Sequence, residues 1–156
     1  QIAINRYVSY FLENNSFSKM IDSTGTILRE QCLGNSKLDF FVNNTYMEVK
    51  TPLQTLQIDI PEYVKTKKMS PLKSTNRFTK HIAELGKSLK EKQRAILLIC
   101  FMYDSPEFKV REKSANYEKV KHTVNKSMEQ GVEIWQANFK LDKDSINIID
   151  HFRVSL

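Results

Sequence analysis

With 156 residues, 40% of them hydrophobic and 27% charged, the chain has the size and composition of one folded domain, and its four glycines and four prolines exclude collagen-like and low-complexity classes. Lys and Arg outnumber Asp and Glu by 24 to 18, and the resulting net charge of +6 allows a nucleic-acid partner without requiring one. The longest apolar run, Ala95 to Tyr103, is too short to cross a bilayer, and no signal segment opens the chain, so a cytoplasmic protein with no membrane partner is expected.

The first element is an amphipathic helix over 4–13, with Ile4, Tyr7, Val8, Phe11 and Leu12 on one face and Asn14-Asn15-Ser16 as its stop. Between Thr26 and Lys50, Gly34-Asn35 and Asn43-Asn44 are two-residue turn signals that divide the segment into three antiparallel strands. Pro52, Pro61 and Pro71 make residues 51–73 poor helix material, so this stretch is expected to be a long surface loop carrying Lys65, Lys67, Lys68 and Lys73.

Ser74 or Thr75 caps a second helix running to about Lys92, with Phe78, Ile82, Leu85 and Leu89 as its buried stripe. The apolar run from Ala95 is a buried strand, Ser114 to Gln130 a third helix ended by Gly131, and Val132–Leu141 and Ile146–Ile149 two further strands. The predicted order α-β-β-β-α-β-α-β-β is an α/β fold, a mixed sheet flanked by helices. Cys32 and Cys100 show no metal-ligand or scaffold spacing and read as reduced, buried, small hydrophobes.

The second turn brings chemistry with it. A two-residue turn at Asn43-Asn44 sets Phe40 opposite Met47 and Asp39 opposite Glu48. Strand alternation then places Leu38, Phe40, Val42, Met47 and Val49 on the core face, and Asp39, Glu48 and Lys50 on the other. If Gly34-Asn35 is also a two-residue turn, Glu30 joins the row and completes a set of hard oxygen ligands suited to Mg²⁺ or Mn²⁺. Opposed carboxylates need a cation, a shared proton or free access to water, so a solvent-facing hairpin with surface ion pairs stands beside the metal-site reading. His81, a lone histidine next to Lys80, takes the default role of a partly exposed helix residue.

Ser36-Lys-Leu-Asp-Phe-Phe followed by Tyr46-Met-Glu-Val-Lys resembles the central motif of the sugar fermentation stimulation protein A family, which carries Ser-Arg-(Leu/Ile)-Asp-Phe and then Tyr-Val-Glu-Val-Lys. Asn5-Arg6, Leu28-Arg-Glu30, the Thr75 to Leu85 segment, Gly131-Val-Glu-Ile and Val154-Ser-Leu156 are similar to further segments of that family.

The resemblance implies a restriction-endonuclease-like, PD-(D/E)xK core in a single domain over 1–156, lacking the OB-like barrel with which family members begin. It also implies catalytic roles for Asp39, Glu48 and Lys50, with metal held by Asp39, Glu48 and Glu30. On this reading the protein binds nucleic acid, DNA in preference to RNA, through Lys65, Lys67, Lys68, Lys73, Arg77 and Lys80. Its site is a metal-dependent phosphodiesterase; the alternative is a DNA-binding regulator of sugar metabolism that retains the acidic site without turnover.

Overall fold

A computed structural model describes residues 2–33, 36–51, 79–86, 89, 93–108 and 117–155. The expected surface loop, with Lys65, Lys67, Lys68, Lys73 and Arg77, and the cap at Ser74 or Thr75 lie outside the described residues. Helix α1 (Ile2–Glu13) precedes strands β1 (Ile27–Leu33), β2 (Ser36–Val42) and β3 (Thr45–Lys50). A helical segment over 79–86, α2, leads to β4 (Arg94–Phe101); α3 (Tyr117–Glu129), β5 (Glu133–Asp142) and β6 (Ser145–Arg153) follow. The predicted order of elements is the observed one.

The six strands form one sheet in the order β1-β2-β3-β4-β5-β6. The β1–β2, β2–β3 and β5–β6 pairs are antiparallel, whereas β3–β4 and β4–β5 are parallel and are each bridged in sequence by a helix. Ile4, Val8, Phe11 and Leu12 of α1 pack on one face of the sheet against Phe40, Val42, Met47, Val49, Leu98 and Phe139. Ile82 and Leu85 of α2 and Val120 and Val124 of α3 pack on the other, against Leu97, Ile99, Phe101 and Ile134. β4 lies in the middle with both faces covered, which is why its sequence is continuously apolar.

Local chemistry sets the boundaries. Helix α1 ends where Asn15 adopts φ 53°, with Asn15 N–H donating to Leu12 O (3.0 Å) and Ser16 N–H to Phe11 O (2.8 Å), the paired bonds of a Schellman cap. Gly131, φ 101°, closes α3 the same way, through Gly131 N–H to Met128 O (2.9 Å) and Val132 N–H to Ser127 O (3.0 Å). Asn43 and Asn44 have φ 47° and 58°, the left-handed pair that a tight β2–β3 hairpin needs. At the end of the sheet where β4 and β5 begin, Arg94 grips Glu133 through Nε and Nη2 (both 2.8 Å), and the same Nη2 reaches Met20 O at 2.8 Å, tying the chain after α1 to two strands.

Four expectations are corrected. Leu38 does not share a face with Phe40 and Val42; it packs with Ile82 and Leu85 on the α2 side. The β1–β2 register is the one the turn predicts, from Leu33↔Ser36 to Ile27↔Val42, but Glu30 and Asp39 drop out of the ladder and Glu30 takes φ 55°. A left-handed residue turns the peptide over, so both strands exchange faces there: Ile27 packs on the α1 side and Leu33 on the α2 side. Cys32, expected in the core, is exposed on edge strand β1, while Cys100 is buried in β4. β6 is longer than its apolar residues suggest, because a bulge opposite Asn138/Phe139 resets its alternation and carries it on through Asp150, His151 and Arg153.

Candidate metal centre

The β2–β3 hairpin carries Asp39 on one strand and Glu48 and Lys50 on the other, and the pairs Phe40↔Met47, Phe41↔Tyr46 and Val42↔Thr45 are those the Asn43-Asn44 turn dictates. Beyond Phe40 the ladder opens. The Asp39 side chain takes over the role of a backbone acceptor: Val49 N–H donates to its Oδ2 at 2.8 Å. Its Oδ1 accepts from Asn5 Nδ2 of α1 at 2.9 Å, which fixes the carboxyl group between helix and sheet.

Burial first and the neighbouring negative charge of Glu48 second, against the opposing pull of Val49 N–H and Asn5, push the Asp39 carboxyl up to about 6. Glu48 stands close enough for the two acids to share a proton. Its side chain is only 4% exposed. Glu48 Oε1 faces Lys50 Nζ at 3.5 Å and His81 Nδ1 at 3.3 Å, whereas Oε2 is buried with no hydrogen-bond partner among the described residues. A buried carboxylate oxygen without a donor is costly, and a hard divalent cation between the two acids answers both that cost and their mutual repulsion.

His81 is the neighbour of the acidic pair that sequence reasoning misplaces. It is buried on α2 and points at the acidic pair, with Lys50 Nζ 3.1 Å from its Nδ1. Helical spacing explains this in retrospect: His81 flanks Ile82 on the face of α2 that covers the sheet, and β3 presents Glu48 and Lys50 toward that face. Asn5 is likewise invisible to reasoning about charge, because a neutral amide on α1 carries no catalytic signature. The one signal for either residue is its place in a segment similar to the family.

The structure brings together Asp39, Glu48, Lys50 and His81. It does not bring Glu30 to them: that carboxylate is 71% exposed and lies 3.8 Å from Lys37 Nζ at the surface. Among the described residues no three His, Cys, Asp or Glu side chains converge as a complete metal cage. The remaining positions around a cation at Asp39 and Glu48 would fall to water or to ligand oxygens, the habit of Mg²⁺. Lys80 is exposed on α2, next to the site in sequence but turned to solvent.

The family model for the sugar fermentation stimulation protein (SfsA) RE domain matches residues 3–145. This chain belongs to the SfsA family. An SfsA from Pyrococcus furiosus, solved in complex with Ca²⁺, superposes with a TM-score of 0.69 at 18% sequence identity, covering 100% of this chain and 66% of that one. This likeness establishes the SfsA fold for the described sheet and helices. No protein among the curated ones matches the sequence. Of the segments similar to the family, those at Asn5-Arg6, Leu28–Glu30, Ser36–Phe41 and Tyr46–Lys50 and the described part of the Thr75–Leu85 segment fall on α1, the β1–β2–β3 meander and α2, while Gly131–Ile134 leads into β5.

Proposed function

We propose that the site is a metal-dependent phosphodiesterase centre in a nucleic-acid-binding protein, with Asp39 and Glu48 as the residues that hold Mg²⁺ or Mn²⁺. The observation that carries this reading is Glu48 Oε2, a buried carboxylate oxygen with no donor among the described residues and beside a second carboxyl group. The Ca²⁺ complex of the Pyrococcus furiosus relative supports it, since Ca²⁺ belongs to the same class of hard, oxygen-seeking cations. When bound, such a cation supplies positive charge to a phosphodiester and lowers the pKa of nearby water.

The chain's own residues supply the rest. Asn5 and Val49 N–H fix the two Asp39 oxygens, leaving a lone pair on each. Lys50, two residues beyond Glu48 on the same face of β3, orients the attacking water and offsets charge building on the phosphate. Glu30 enters the shell only by giving up its surface pairing with Lys37. Nucleic acid, DNA in preference to RNA, is held by the basic residues Lys65, Lys67, Lys68, Lys73, Arg77 and Lys80.

One observation favours the second reading, a DNA-binding regulator of sugar metabolism without turnover: only two carboxylates converge among the described residues. Incubation with single- and double-stranded DNA and RNA, in Mn²⁺ or in EDTA, separates the two. The phosphodiesterase cleaves only with metal, and Lys50→Ala lowers cleavage by about a hundredfold or more while leaving binding in place. Metal-independent binding with no product under any condition would establish the regulator instead.

A further inference from the structure

We propose that His81 is a positioning residue for Lys50: by accepting a hydrogen bond from the ammonium it draws that charge off Glu48 and keeps the carboxylate open to a divalent cation. The inference rests on the metal-binding reading of Asp39 and Glu48.

Three distances carry it. Lys50 Nζ lies 3.1 Å from His81 Nδ1 and 3.5 Å from Glu48 Oε1, and the same Nδ1 lies 3.3 Å from Glu48 Oε1. A ring nitrogen either bears a proton and donates or is bare and accepts. A charged Lys50 has only N–H groups to offer, so its contact with Nδ1 is a hydrogen bond only when the ring carries its proton on Nε2. In that tautomer Nδ1 has nothing to give Glu48, and Lys50 is left as the cation facing Oε1, at a distance long for a charge-assisted bond. The ammonium is therefore held by the imidazole first and by the carboxylate second.

Burial gives this preference consequences. The side chains of Lys50, His81 and Glu48 are 15%, 11% and 4% exposed, so water is a poor substitute for a lost partner. Without the His81 acceptor, the ammonium turns further to the Glu48 carboxylate, whose Oε2 has no hydrogen-bond partner among the described residues to compete for it. Both Glu48 oxygens would then be engaged, and a cation would have to displace a buried ion pair to bind.

Mn²⁺ affinity, measured by titration calorimetry on the full chain, tests this in the native protein, His81→Ala, Lys50→Met and the double variant. His81→Ala is expected to weaken Mn²⁺ binding about tenfold, the lower end for loss of an outer-shell partner, and to change it less than about twofold when Lys50 is already Met. His81→Asn, whose side-chain oxygen stands near the place of Nδ1, retains native affinity. Loss of equal size in both backgrounds would mean that His81 acts on the cation directly, and no loss in either would mean that it does not act at all; each overturns the proposal. Imidazole ¹⁵N spectra of the metal-free native chain provide a test that needs no variant. A bare Nδ1 with the proton on Nε2 is expected, and a proton on Nδ1 overturns the proposal. Failure of the native chain to bind Mn²⁺ would remove the metal reading itself, and the tautomer would still decide whether His81 holds Lys50.

Discussion

Asp39 sits buried between two hydrogen-bond donors and one like charge, and burial, aided by the like charge, wins: its carboxyl is raised from 3.8 to about 6. Between those values the folded state holds a proton that the unfolded chain has released, so the stability this acid confers is complete at low pH and is lost as pH rises through about 6. Asp39→Asn removes that dependence. It should stabilise the metal-free protein by up to about 2 kcal/mol at pH 7.5 and by almost nothing at pH 3.5, read from urea midpoints at the two pH values. Equal effects at both would show that the carboxylate charge is not the cause.

At the scale of the element, turn and cap residues prove the most informative letters in the sequence. Asn43-Asn44 names its own hairpin because asparagine tolerates positive φ, and Gly131 names the end of α3 for the same reason. Gly131→Ala places a Cβ at φ 101° and should cost about 1 to 2 kcal/mol, seen as a lower urea midpoint with an unchanged slope. Glu30 is the contrary case. Nothing in a glutamate announces φ 55°, yet that one residue and the broken ladder at Asp39 move Leu38 to the opposite face. Alternation is a sound rule only along an unbroken ladder, and the break here coincides with an acid of the site, where a carboxylate replaces a backbone acceptor.

For the whole molecule the tests are linkage and charge. A cation that binds only the folded state stabilises it by about 2.7 kcal/mol at a hundredfold excess over its Kd, which for a chain of this size raises Tm by roughly 5 to 11 °C. Calorimetry with and without Mn²⁺ should show that rise in the native protein, and Glu48→Gln should abolish it; no shift in the native protein would leave Asp39 and Glu48 as a structural pair. The net charge of +6 is tested through salt. If Lys65, Lys67 and Lys68 contact phosphates, replacing all three by Ala lowers the slope of log affinity against log salt by about 2 to 3, whereas a merely solvated stretch leaves it unchanged. Fluorescence anisotropy on one DNA fragment across a salt series distinguishes the two.

The amino-acid sequence specified the order of elements and the β2–β3 register from Phe40↔Met47 to Val42↔Thr45, though not the opening of the ladder at Asp39, because these follow from local periodicity and from turn residues that fix φ over two or three positions. It also carried the family motif. What surrounds those acids is set by packing between elements distant in sequence. Asn5 reaches Asp39 across 34 positions of chain, His81 reaches Lys50 across 31, and both contacts depend on how α1 and α2 lie on opposite faces of one sheet. Exposure was likewise beyond local pattern: Glu30 and Glu48 look alike in the sequence, but β1 is an edge strand that leaves Glu30 in solvent, while β3 lies inside the sheet beneath α2 and buries Glu48. A carboxylate becomes a candidate ligand through the water that packing takes away from it, and no stretch of neighbouring residues specifies that loss.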